Sequence, residues 1–178
     1  AKLIGNVAIS GGTVAADNSL TIEGDLTATA GALTTTSGKT ATITGNATFK
    51  GAETLTNSGT LLIQGAAEFA DGSVKESTGT VTFGKTASMN AATLKAMLSG
   101  TAVKSADNAN AVITLNDSGS VNLSDGNDGL GLIASGDGAI SSKLSAGAKN
   151  STLTLHIGEA AFAHNTVSGT AANLEKVP

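Results

Sequence analysis

The residues best suited to chemistry in this chain are four aspartates of its second half, Asp117, Asp125, Asp128 and Asp137. Two stand inside Leu123-Ser124-Asp125-Gly126-Asn127-Asp128-Gly129-Leu130-Gly131-Leu132. Calcium takes roughly six to eight oxygen ligands, which Asp, Asn and Gly-rich loops can supply. Asp125 and Asp128 are therefore the candidate calcium ligands. The calcium-binding nonapeptide of β-rolls also mixes Gly, Asp and alternating apolar residues, but it comes in tandem copies. Here there is one imperfect copy, and a solvated turn is the competing reading.

Nothing else in the chain has the spacing of a catalytic site. In Thr152-Leu153-Thr154-Leu155-His156-Ile157 the leucines and the isoleucine share one face, which leaves His156 with the threonines on the solvent side. His164 follows Phe162 with no nucleophile or carboxylate pair nearby. A polysaccharide-active β-helix would need paired carboxylates or a basic residue in a groove, with aromatic platforms for sugar rings. Glu23, Glu53, Glu68, Glu76 and Glu159 are scattered, and Glu53 and Glu76 fall where rows of the chain should turn. The expectation is a protein without catalytic residues and without a cofactor other than the calcium candidate.

Composition excludes further classes. The 178 residues hold no Cys, Trp or Tyr, so disulfides and thiolate metal sites are ruled out. All ten basic residues are Lys, scattered singly in a chain of formal charge −4. Nucleic acid needs a concentrated positive field, so it is not an expected partner. No apolar run approaches the roughly 20 residues of a membrane-spanning helix, and no signal peptide opens the sequence. If the protein is exported, this is a mature product or an excised fragment.

The elements that position these residues are announced by repetition. Leu20-Thr21-Ile22-Glu23-Gly24-Asp25-Leu26 returns as Ala41-Thr42-Ile43-Thr44-Gly45-Asn46-Ala47 and as Leu61-Leu62-Ile63-Gln64-Gly65-Ala66-Ala67, with an earlier copy at Leu3-Ile4-Gly5-Asn6-Val7. A period of a few tens of residues is the mark of a solenoid. Stacking the copies yields three apolar columns: Leu3, Ile22, Ile43, Ile63 and Phe83; Ile9, Ala28, Phe49 and Phe69; Leu20, Ala41, Leu61 and Val81. Within a row the apolar residues alternate, as in a strand with one buried face. Thr21, Thr42 and Thr44 fall outward, where they form threonine ladders. Asn18, Gly38, Gly59, Gly79 and Gly100 close successive rows at intervals of 20, 21, 20 and 21 residues, and these residue types accept positive φ at a corner. One coil buries too little to offset its backbone entropy, so stability belongs to the stack.

The fold class that follows is all-β: a right-handed parallel β-helix, or β-solenoid, of about 20 residues per coil with one short helix near 90–98. It forms a single domain over 1–178. Regular coils occupy 1–87, and 88–100 is a helical interruption. There Ser88 or Asn90 can cap, Leu94, Met97 and Leu98 share a face, and Gly100 terminates. Less regular coils fill 101–166, where Gly119, Gly138 and Gly158 extend the rhythm. Strands are expected at Ala111–Leu115, Gly119–Leu123, Leu130–Ala134 and Ser151–Ile157, with a polar loop at Ala102–Asn110. Residues 167–178 have no pattern and read as a cap or tail. The single proline, Pro178, leaves the rest free to pair.

Ser37-Gly38-Lys39-Thr40-Ala41-Thr42-Ile43-Thr44-Gly45-Asn46-Ala47-Thr48-Phe49 and Gly59-Thr60-Leu61-Leu62-Ile63-Gln64-Gly65-Ala66-Ala67-Glu68-Phe69 resemble the passenger stalks of bacterial autotransporters and related surface adhesins. The resemblance covers about the first half and lies in period and composition. It implies a right-handed parallel β-helix at the cell surface or outside the cell, with a role in adhesion, aggregation or extracellular structure. A second resemblance is to bactofilins, which polymerise end to end, though their six-residue triads are absent. With pairing starting at Leu3, an uncovered first coil templates further pairing. Self-association head to tail into a filament, or a place in the stalk of a longer parent chain, is the expected role. A host or glycan surface is the expected outside partner. The alternatives are a carbohydrate-binding or carbohydrate-active β-helix and a phage fibre component.

Overall fold

The computed structural model describes residues 1–117, 120–121, 143–156, 161–162 and 172–175. Each of the first five coils starts with a short strand whose inner residues are large and aliphatic. Coil one holds β1 (Lys2–Ile4) and β2 (Val7–Ala16), and coil two holds β3 (Leu20–Glu23) and β4 (Leu26–Thr35). Coil three holds β5 (Thr40–Ile43), β6 (Ala47–Phe49) and β7 (Leu55–Asn57), and coil four holds β8 (Thr60–Ile63), β9 (Ala67–Phe69) and β10 (Val74–Ser77). In coil five, β11 (Thr80–Phe83) and β12 (Thr86–Met89) are followed by α1 (Ala91–Leu98). Beyond it come β13 (Ala102–Ser105), β14 (Asn110–Leu115), β15 (Ser120–Val121), β16 (Leu144–Ser145), β17 (Thr152–His156), β18 (Ala161–Phe162) and β19 (Ala172–Glu175).

The strands stack in parallel as a β-solenoid of about five turns, about 20 residues each. One sheet runs β1-β3-β5-β8-β11-β13-β16, and a second collects β2, β4, β6, β7, β9, β10, β12, β14, β17 and β19. The second sheet covers two sides of the coil because β2 and β4 bend at Gly12 and Gly31, whose φ values of 67° and 79° open the corner.

Register confirms the three columns. Leu3 faces Ile22, which faces Ile43, then Ile63, then Phe83. Ile9 faces Ala28, then Phe49, then Phe69. Leu20, Ala41, Leu61 and Val81 align likewise, and the column continues through Val103 to Leu144. All are buried except Leu3 on the outermost coil. Inside, Phe49 stacks on Phe69 with ring centres 5.0 Å apart, and Phe83 meets Phe69 edge-on at 6.1 Å. Both arrangements suit the ring quadrupole. On the third side Leu33 faces Leu55, which faces Val74.

The corners obey a different rule from the one the glycine spacing suggests. Of Asn18, Gly38, Gly59, Gly79 and Gly100, only Gly38 has positive φ, at 75°. At Gly59, Gly79 and Gly100 the constraint is closeness: a Cβ would run into the carbonyl oxygens of Lys39, Gly59 and Gly79 respectively, each in the coil before. A second glycine column repeats this at Gly24, Gly45 and Gly65, stacked on Gly5, Gly24 and Gly45. Beside it runs a side-chain ladder. Asn6 Oδ1 accepts from the Asp25 N–H at 3.0 Å, Asp25 Oδ1 from Asn46 N–H at 2.8 Å, and Asn46 Oδ1 from Ala66 N–H at 2.9 Å. The Gly-Asp and Gly-Asn pairs of the repeated phrase are thus the corner itself. The glycine admits the next coil, and the Asx oxygen caps its backbone.

The helix forms where the alternation lapses. Asn90 Oδ1 accepts from Thr93 N–H at 2.8 Å, and Leu94, Met97 and Leu98 are buried, as capping and periodicity require. At its far end Ser99 N–H donates to Lys95 O and Gly100 N–H to Met97 O.

Two expectations fail in the second half. Ala102–Ser105 is strand β13 rather than part of a polar loop, because β11 offers a complete partner and Val103 drops into the buried column beneath Val81. Nor does the 20-residue rhythm persist. Val103 pairs with Leu144 and Ile113 with Leu155, 41 and 42 residues on, so the chain between them adds no intervening row to either sheet. Ala111–Leu115 and Ser151–Ile157 are realised as β14 and β17, and part of Gly119–Leu123 as β15. Leu130–Ala134, Gly119, Gly138 and Gly158 lie outside the described residues. Ala172–Glu175, in a stretch with no legible pattern, pairs with β17.

Candidate functional site

The calcium candidates Asp125 and Asp128 lie outside the described residues, as do Asp137, His164 and Glu159. Asp117, from the same acidic group, serves the fold instead, and its Oδ1 accepts from Ala91 N–H at 2.6 Å. That satisfies one of the orphan donors in the first turn of α1 and places a negative charge at the positive end of its dipole. Among the described residues no three His, Asp or Glu side chains converge as a metal site would require.

The carboxylates stay apart. Glu23 pairs with Lys2 at 2.6 Å on the surface. Glu53 sits in the turn between β6 and β7 with φ of 54°, as its position in the row suggests. Glu76 does not turn: it is an exposed residue of β10, beside Thr56. Register places Thr48 and Ser88 on either side of Glu68, with no second acid across from it. His156 is on the outward face of β17 with Thr152 and Thr154, half-buried, beside Thr114.

What the strands do organise is the outward face of the first sheet. Thr40, Thr60 and Thr80 are in register on adjacent strands. Next to them runs Thr21, Thr42, Leu62, Thr82 and Lys104. Thr21 and Thr42 form the start of the expected ladder, and Leu62 interrupts it. The longer threonine column, 40-60-80, follows from the Gly-Thr corner phrases, which place one threonine at the same row position each time. β-branched side chains hold few rotamers here, so the hydroxyls make a fixed pattern.

Toward β13 this face deepens into an open groove of about 800 Å³. Its floor is Thr60, Leu62, Thr80, Thr82 and Lys104, with Gln64 at one margin. The opposite wall is built from two loops locked together. Gly147 N–H donates to Ser105 Oγ at 2.9 Å, Ala148 N–H to Asp107 Oδ1 at 2.8 Å, and Asn108 N–H to Lys149 O at 2.7 Å. Sequence reading missed the groove because its wall joins residues some 40 positions apart, and the only local signal was the Thr-x-Thr alternation of the floor.

A second feature is the free edge of the first coil. β1 pairs only with β3, and β2 only with β4. Among the described residues the exposed large apolar side chains are Leu3, at 41%, and Ile4, at 81%. Both belong to that edge.

No family model matches this chain, and no curated protein or solved structure shows significant similarity to it. No described helix is long and apolar enough to cross a membrane.

Proposed function

We propose that this chain is an extracellular structural or adhesive β-solenoid that lengthens by adding coils to its free first edge, as the stalk of a surface adhesin or head to tail as a filament. The observation that carries this reading is the edge itself: a row of unpaired backbone groups on β1 and β2 that coincides with the apolar patch of Leu3 and Ile4. Such edges pair with another strand unless something blocks them. A head-to-tail contact repeats without closing, which gives a fibre rather than a ring.

Gly5 and Val7 donate their N–H groups to Glu23 O and Asp25 O, so by strand alternation the Ile4 N–H points away from β3. Ile4→Pro therefore removes an edge donor while sparing the pairing with coil two. Sedimentation and electron microscopy of the chain should show elongated assemblies that grow with concentration, and Ile4→Pro should shorten them. A compact monomer at every concentration, in wild type and variant alike, overturns the filament form of the proposal.

The groove favours a second reading, a carbohydrate-binding solenoid, because it gathers hydroxyl, amide and ammonium groups on a rigid sheet face. The two readings are compatible in an adhesin, where a rod presents a binding surface.

A further inference from the structure

We propose that the groove over β8, β11 and β13 binds an acidic polysaccharide, a sugar chain bearing carboxylates, with Lys104 as its charge partner. This rests on the adhesive reading and names its ligand class.

The groups facing the groove are unspent. Among the described residues, the hydroxyls of Thr60, Thr80 and Thr82, the Gln64 amide and the Lys104 ammonium make no side-chain hydrogen bond or ion pair within the protein. Asp107 in the same groove already has one carboxylate oxygen engaged by the wall, through Ala148 N–H. Three hydroxyls at successive strand and residue spacings can each donate and accept, which matches a ligand that repeats hydroxyls along its length. Leu62 adds an apolar patch between Thr42 and Thr82 for the C–H face of a sugar ring.

Other ligand classes fit less well. An extended peptide gains its affinity by pairing with a sheet edge, but the groove floor is a sheet face whose backbone groups are already paired with neighbouring strands. Nucleic acid would need several cations, and the groove has one. A neutral glycan would rely on aromatic stacking, yet Phe49, Phe69 and Phe83 are all buried in the core. With stacking unavailable, a charge-assisted contact at Lys104 has to supply the strongest single term. Lysine is a point charge without a fixed fork, so the threonines and Gln64 set orientation. Affinity per groove is low, and a filament or a longer rod would raise it by presenting many grooves at once.

The test is a titration of the isotope-labelled full chain with oligogalacturonate and, in parallel, with its methyl ester, the same sugar without the charge. Amide signals of Thr60, Thr80, Thr82 and Lys104 should shift with the acid form. Lys104→Gln and esterification should each weaken binding about tenfold or more, the scale of a lost hydrogen bond to a charged group. Thr82→Val, which keeps the branched shape, should weaken it severalfold. Lys104 is exposed, so an unchanged circular dichroism spectrum is expected for its variant. Absence of shifts in the groove, equal binding of acid and ester, or an unaffected Lys104→Gln overturns the proposal. Sedimentation of the same samples separates the two proposals: a monomer that binds the acid form sinks the filament and supports the groove, while an assembling chain that ignores it sinks the groove alone.

Discussion

Coils one to four and the region after α1 are built from the same kinds of residues but held by different means. In the early coils each row lies 19 to 21 residues from the next, and every inward position meets its counterpart directly: Ile22 on Ile43, Ile43 on Ile63. After α1 the rows are 41 or 42 residues apart, and the partner of Val103, Leu144, sits in a strand of two residues. Side-chain burial is complete at both sites. What differs is the length of chain that must be ordered to bring partners together, and that cost rises with loop length. A solenoid is stable as the sum of neighbour contacts, so the regular coils should be the stiffer half.

Core truncation breaks this comparison most directly. Ile63→Ala, between Ile43 and Phe83, should cost about 4–5 kcal/mol, whereas Leu144→Ala should cost about 2–3 kcal/mol because a short strand on a long connection can close around the gap. Chemical denaturation of the two variants measures both, and equal losses would remove the distinction between the halves.

Glycines sharpen it next. Gly79→Ala forces a Cβ onto Gly59 O and should destabilise by about 1–3 kcal/mol through overpacking, with a local change in coil spacing. Gly72 has open space and a φ of 74°, so its replacement by Ala should cost only the left-handed penalty of about 1–2 kcal/mol. A Gly79 variant as stable as wild type would mean the coils part easily.

Capping links the two halves. Asn90→Ala should lower stability by about 1 kcal/mol, and Asp117→Ala by a similar amount. Thermal unfolding of the double variant should show whether both act on the same turn, as a loss smaller than the sum of the two.

The smallest effect concerns the third side, where the inward row turns polar: Thr35 faces Asn57, which faces Ser77, all buried. Asn57 Nδ2 donates to Thr80 O at 2.9 Å, but Thr35 Oγ1, Asn57 Oδ1 and Ser77 Oγ have no protein partner. Thr35→Val keeps the shape and removes an unsatisfied hydroxyl, so it should be neutral or stabilising by up to about 1 kcal/mol. A marked loss in a melting experiment would show that the hydroxyl is satisfied by bound water.

How much of this was legible varies with how local the cause is. The columns through Ile22, Ile43 and Ile63, the strand alternation around Leu20 and Leu26, and the α1 cap at Asn90 could be read directly, since each rests on residues within one coil or on a strict repeat. The glycine corners were legible in position but not in cause. A carbonyl from the previous coil excludes the Cβ at Gly79, and no single coil contains that collision. β13 was hidden for the same reason, because Ala102–Ser105 is a strand chiefly by virtue of the partner β11 provides.

The sequence alone determined the period, the identity of the buried columns and the absence of thiol chemistry, because these depend on residue type and spacing. Only the tertiary structure decided that the second half skips a row, that Asp117 caps a helix, and that Lys104 shares a groove with Thr60 and Thr80. Each of these depends on which distant backbone segments come to lie side by side, and that choice is made by the ladder of the stacked coils rather than by any residue on its own.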